Sequence, residues 1–185
     1  MSKNSRELGK AFGYLHEQEI ESMKSIVGTL PENSVCINIG AGVGTSGLIF
    51  MESKNVGKLY TIDIFGGGRP IGGLGNERNA MKDAGFEHDK RLHQIQGDST
   101  AVGETWNGGE VDMVFIDGDH SYEHCKSDAL AWLPHIKKGG VISFHDYAKN
   151  PWIGVFTFVN EYFMKQWKKY PLLVHADTFV AFKVK

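Results

Sequence analysis

Five short runs rich in β-branched residues, separated by segments of helical periodicity, limit what this chain can fold into more than any other feature. SVCINIG (34–40), KLYTIDI (58–64), RLHQIQGDS (91–99), VDMVFID (111–117) and VISFHD (141–146) read as strands. Between them, TSGLIFMES (45–53) reads as a helix, as does 76–84, capped by Asn76 and stopped by Gly85. A longer helix carries Tyr122, Cys125, Ala129, Leu133 and Ile136 on one face and stops at KKGG. Another carries Val155, Phe158, Val159, Tyr162 and Phe163. Upstream, Ile20, Met23, Val27 and Leu30 share a stripe closed by Pro31, so residues 1–32 are expected to form a helical segment. LLVHAD and TFVAFKV, after Pro171, add two more strand-like runs. Strand–helix alternation calls for a doubly wound α/β fold: a parallel sheet, right-handed crossovers and helices on both faces.

With 185 residues and neither a repeat nor a linker, one domain spanning 1–185 is expected. The net charge, 20 − 22 = −2, creates no field towards nucleic acid or an anionic membrane, and KQWKK (165–169) reads as a solvated helix face. Two cysteines are too few for a disulfide framework or a cysteine zinc site. The N-terminus lacks an apolar signal core, and the longest uncharged run (33–51) is interrupted by Asn, Gly, Ser and Thr. No membrane partner and a cytoplasmic location are therefore expected.

In doubly wound sheets, ligands sit at the carboxyl ends of the strands. Gly40, Gly42, Asp63, Asp98, the Asp117–His120 cluster, His145 and Asp146 all fall there. VDMVFIDGDHSYEH (111–124) is the most pointed case, because an apolar run flows into two aspartates and a histidine. Isolated buried carboxylates are very costly, so such a cluster must be solvated, paired or put to chemical use. The turn INIGAGVGTSG has two frames. Gly42, Gly44 and Gly47 spell a dinucleotide fingerprint, but that mechanism needs its first glycine at the strand exit. Counting from Gly40 gives G-x-G-x-G, with Thr45 where the third glycine would stand. Asp63, some twenty residues on, is placed to accept ribose hydroxyl protons, and Asp98 and Ser99 to bracket an adenine ring.

INIGAGVG, Asp63, QGDS and DMVFIDGDHSYE together resemble class I S-adenosylmethionine-dependent methyltransferases, over roughly residues 33–185. The likeness is closest to small-molecule O-methyltransferases, including a bacterial family with the D-G-x-H-x-Y segment, a G-G turn and an H-D pair. The resemblance implies a Rossmann-like, mostly parallel seven-stranded sheet ending in an antiparallel hairpin. It implies cofactor contacts from Asn38, Gly40, Gly42, Asp63, Ile64, Asp98, Ser99 and Asp117, although Asn38 replaces the usual acid. It also implies a divalent cation, Mg²⁺ or Mn²⁺, on Asp117, His145 and Asp146, and a catalytic base at His120 with Asp119 as its rival. Near-neutral imidazole chemistry suits the removal of a hydroxyl proton.

HSYEH also spells H-x-x-E-H, but His120 is expected in the loop before the helix, so the zinc-peptidase register fails. FGGGRPIGGLGNE (65–77) reads as a flap over the cofactor, with Arg69 facing either solvent or an anionic group. Tyr14 and His16 read first as packing residues and second as pocket lining, and Trp152 as a pocket wall. The expected partner is a small-molecule acceptor, and the aromatic-rich C-terminal half is compatible with a homodimer. A nicotinamide-dependent oxidoreductase and a non-catalytic nucleoside-binding protein are the competing readings.

Overall fold

A computed structural model describes residues 4–12, 14–64 and 74–185. Helices α1 (Ser5–Phe12) and α2 (Glu17–Gly28) precede strand β1 (Ser34–Ile39), helix α3 (Thr45–Met51) and strand β2 (Val56–Asp63). Helix α4 (Leu74–Asp83), β3 (Leu92–Gln96), α5 (Ser99–Glu104) and β4 (Val111–Ile116) follow. Then come α6 (Tyr122–Trp132), β5 (Ile136–Phe144), α7 (Ile153–Tyr162) and the hairpin β6 (Leu172–Ala176) and β7 (Phe179–Lys183).

The seven strands lie in the order β3-β2-β1-β4-β5-β7-β6. Pairing is parallel from β3 through β5, and antiparallel where β7 meets β5 and β6. One face of the sheet packs against α1 to α4 through Leu8, Ile20, Met23, Val27, Leu48, Phe50 and Met81. The other packs against α5 to α7 through Val102, Cys125, Ala129, Trp132, Val155, Phe158 and Phe163. Both central strands are therefore largely apolar on both faces, as parallel strands covered by helices must be, with Asn38 the fully buried polar residue of β1. Asp112 is the exception in β4, and its buried carboxylate is paired: Lys137 Nζ donates to it at 2.9 and 3.0 Å and Val35 N–H at 2.8 Å. Chain order reverses between β1 and β4, so the crevice that a doubly wound sheet offers a ligand opens at their carboxyl ends. Among the described residues, no helix is long and apolar enough to cross a membrane.

Four local expectations change. The KKGG segment lies inside β5, because Pro134 cannot continue α6 and Ile136 pairs with Val111 across a shifted register. Residues 98–104 leave the third strand early: Asp98 caps α5 by accepting the Ala101 N–H at 2.8 Å. Helix α4 starts at Leu74, which puts Asn76 inside it and aligns Glu77, Ala80 and Met81 on its buried face. A separate helix, α1, precedes the α2 stripe. The flap reading and Arg69 fall on 65–73, outside the described residues.

Candidate active site

The glycine turn begins where β1 ends. Gly40 has φ +88°, and a Cβ there would overlap the carbonyl oxygen of Asp117. Only glycine lets the ends of β1 and β4 approach this closely. The Gly40 N–H donates to Ile62 O and the Asp117 N–H to Ile39 O, so the ladder runs up to the crevice. Asp63 accepts the Ala41 N–H at 2.8 Å, tying the end of β2 to the turn.

A cavity of about 420 Å³ opens above these ends. Gly40 to Val43, Thr45 and Ser46 line one side; Asp117, Gly118, His120, His145, Asp146 and Trp152 line another. Tyr14, Leu15, His16 and Glu19 from the N-terminal segment, with Thr178 from the hairpin turn, complete the wall. Tyr14 is half exposed and His16 is the N-cap residue of α2, and both line the cavity.

Carboxylates and imidazoles from two strand ends, those of β4 and β5, and from α2 meet here. His120 Nε2 lies 2.9 Å from Asp146 Oδ2 and 3.9 Å from Asp117 Oδ1, with its ring 4.2 Å from that of Trp152. His145 Nδ1 lies 3.2 Å from Asp117 Oδ1 and 3.3 Å from Asp146 Oδ2; its Nε2 lies 3.4 Å from Glu19 Oε2. Burial works against charge on both rings, but the carboxylates outweigh it, raising His120 to about 9 and His145 to about 12. Burial likewise opposes charge on Asp146, yet His120 and His145 hold its carboxyl well below the usual range.

Ligand atoms of Asp117, His120 and Asp146 lie within 4.8 Å of one another, as do those of His16, Glu19 and Asp177. Two carboxylate oxygens and one imidazole nitrogen suit Mn²⁺ or a similar ion better than Mg²⁺. The expected ligand His145 is replaced in this set by His120. With both ring nitrogens of His145 turned to carboxylates, its ring neutralises the acids and is not free to ligate.

Other expected residues are placed differently. Asp119 is not brought to the cluster: its carboxylate accepts the Ser121 N–H at 2.8 Å and lies 3.5 Å from His124. Asp98 is occupied in capping α5, and the Ser99 hydroxyl donates to Asp128 at 2.5 Å. Ile64 is exposed at the end of β2. Asn38 is fully buried with both amide atoms unpartnered, and the Thr45 hydroxyl beside the turn is likewise unpartnered. Of the two, only Thr45 lines the cavity, where a polar ligand can supply its missing partner. In H-S-Y-E-H, His120 stands before α6 and His124 on it, bonded to Ser121, so no zincin pair forms. Sequence reasoning missed Ser46, Glu19 and Thr178. Glu19 carried one signal, since it lies one turn before Met23 beside the apolar stripe of α2.

The sheet order, glycine turn and strand-end acids define the Rossmann-like methyltransferase architecture. A family described as "Methyltransferase domain" matches residues 37–147, more than half of the chain, and the chain belongs to that family. Uncharacterized protein R132 of Acanthamoeba polyphaga mimivirus is 26% identical over 150 residues, covering 76% of this chain. The matched part spans 64% of the viral protein's length. A Staphylococcus aureus protein given as a candidate caffeoyl-CoA O-methyltransferase shares the fold with TM-score 0.70 and 18% identity, over 97% of this chain and 90% of that one. MycE methyltransferase of the mycinamycin biosynthetic pathway, in complex with Mg, SAH and mycinamycin VI, aligns with TM-score 0.66 and 17% identity, over 100% of this chain and 55% of its own.

Proposed function

We propose that this protein transfers a methyl group from S-adenosylmethionine to a hydroxyl of a small molecule, with a divalent cation at the strand ends. One observation carries the reading: the ligand atoms of Asp117, His120 and Asp146 converge within 4.8 Å on the cavity that the glycine turn lines. Family membership and the MycE complex, which holds both Mg and SAH, support it.

Methyl transfer from a sulfonium is an in-line displacement that needs a deprotonated, oriented oxygen. A cation held by Asp117 and Asp146 would lower the pKa of the acceptor hydroxyl and orient it. His120, partly buried with its ring tilted against that of Trp152, faces that position and takes up the acceptor proton. To do so it must first release the proton that Asp146 now helps to hold, and the same release is needed if Nε2 ligates instead. Asp119 is the weaker choice of base, because its carboxylate is tied to Ser121. Gly40, Gly42 and Asp63 hold the nucleoside end of the cofactor, and Ser46 and Asp117 its amino-acid end. Tyr14 and Trp152 wall the acceptor side, in a cavity of small-molecule size.

Calorimetry with S-adenosylmethionine, S-adenosylhomocysteine and NAD, with and without Mn²⁺, tests the reading. The two adenosyl sulfur compounds should bind and NAD should not. Preference for NAD would restore the oxidoreductase reading. Binding without cation-dependent transfer of labelled methyl to any catechol or sugar would favour a nucleoside-binding protein.

A further inference from the structure

Glu19 is the most deeply buried carboxylate of the cavity wall, 1% exposed, and it lies 126 positions from His145 in the sequence. Its Oε1 accepts the Thr178 N–H at 2.9 Å and the Thr178 hydroxyl at 2.6 Å. Its Oε2 accepts the His16 N–H at 2.7 Å and lies 3.4 Å from His145 Nε2. The contacts to His16 and Thr178 are enough to cap α2 and pin the hairpin turn; neither purpose requires the imidazole. Yet the ring of His145 is spanned by carboxylates, with Asp117 and Asp146 at Nδ1 and, at Nε2, Glu19 together with the Thr178 hydroxyl (3.3 Å) that Glu19 itself holds. A ring engaged at both nitrogens cannot flip, so the side facing the strand-end acids is fixed from behind. Unlike Asp117 and Asp146, Glu19 and Thr178 lie outside the span 37–147 that the family match covers.

We propose that Glu19 is a positioning residue of the active site. By engaging Nε2 of His145 it fixes the ring so that Nδ1 orients the Asp117 and Asp146 carboxylates for a cation. The inference rests on the proposed function, since it assigns the partner that supports the cation-binding pair. Partners that orient a ligating group are typically worth ~10–100-fold in metal affinity.

The test uses the full chain and Mn²⁺ alone as probe. Glu19→Gln keeps the size of the side chain and an acceptor for Thr178 while removing the charge. Mn²⁺ affinity is read by electron paramagnetic resonance for wild type, Glu19→Gln, His145→Gln and the double variant, and S-adenosylhomocysteine affinity by calorimetry. Glu19→Gln should weaken Mn²⁺ by about tenfold or more, leave S-adenosylhomocysteine within about twofold, and add nothing in the His145→Gln background. A purely structural Glu19 would lower the melting temperature without touching Mn²⁺ affinity; that result, or fully additive losses, overturns the inference. Should Glu19→Gln not fold, the wild type still reports. Mg²⁺ titration followed by ¹⁵N NMR should shift both the His145 ring and the Thr178 amide, and a silent Thr178 amide overturns it. If the wild type binds S-adenosylhomocysteine but no cation, this inference falls while the cofactor reading stands. If it binds Mn²⁺ but no S-adenosylhomocysteine, the cofactor reading falls and the Glu19 measurement still decides.

Discussion

His120 Nε2 stands 2.9 Å from Asp146 Oδ2, joining the loop after β4 to the end of β5 across the mouth of the cavity. Asp146 holds its place at φ +55°, a conformation aspartate tolerates better than most residues. The pair sits beneath Trp152 and beside Asp117, so a change at either partner acts on the reacting region and leaves the glycine turn alone.

Replacing His120 by Ala should reduce methyl transfer by ~10²-fold or more while cofactor affinity stays within about twofold. Single-turnover rates and calorimetry separate the two effects. An equal loss in both would remove His120 from the chemistry.

Gly40→Ala forces a Cβ into the Asp117 carbonyl, whereas Gly109, also at positive φ (+90°), has nothing within 4 Å of such an atom. Gly109→Ala should therefore cost only the conformational strain, ~1–2 kcal/mol, and retain cofactor binding. Gly40→Ala should destabilise more and abolish binding. Denaturant melts and S-adenosylhomocysteine titration of both variants test this; equal behaviour would refute the close-approach argument.

Glu77 is fully buried on α4, accepting from Gln94 at 2.5 Å, and its other oxygen is unpartnered. Burial, reinforced by nearby Asp63, outweighs the Gln94 contact and raises its carboxyl from 4.5 to about 7. A group whose folded pKa is raised binds more protons folded than unfolded, so stability falls as pH climbs from 4.5 to 7. The loss reaches ~3 kcal/mol at most by linkage. Glu77→Gln should melt higher than wild type at pH 8 and lose the advantage near pH 4, as read by melting curves across pH. A wild-type advantage at pH 8 would contradict the burial argument.

Asp63→Ala should weaken S-adenosylhomocysteine by roughly 10–100-fold, the scale of a hydrogen bond to a charged group. The 2′-deoxy analogue separates ribose contact from support of the turn. Wild type should discriminate against it and the variant should not. Persistent discrimination would remove the ribose contact from Asp63 and leave it a support of the turn through Ala41.

The parallel core is legible because β1, β2, β4 and β5 are strand-like runs that lead into glycine or acid and alternate with helices. Asp117, His120 and Asp146 could be brought together on paper for the same reason, since strand ends share one rim. Ring orientation could not. Nothing in the local sequence says that His145 turns its far nitrogen to Glu19, because that contact spans 126 positions. That Asp98 also caps α5 is not announced by its place at a strand end, because a strand-end aspartate and a helix-capping aspartate look alike until the next helix is seen. KKGG resembles a helix stop because glycine pairs terminate helices, but Pro134 ends α6 before it. Asp119 illustrates the same ambiguity: two residues before Ser121, its carboxylate bonds the local backbone rather than facing the cavity.

The cavity wall divides by origin. The half with the glycine turn and the strand-end acids comes from the span shared with the family, whereas Tyr14, His16, Glu19, Trp152 and Thr178 come from the flanks on either side of it. On the proposed function, a chimera that exchanges those flanks but keeps Glu19 and Thr178 should therefore inherit the donor's choice of methyl recipient on an unaltered engine, so that selectivity and chemistry can be inherited, and diversified, as separate parcels of one chain.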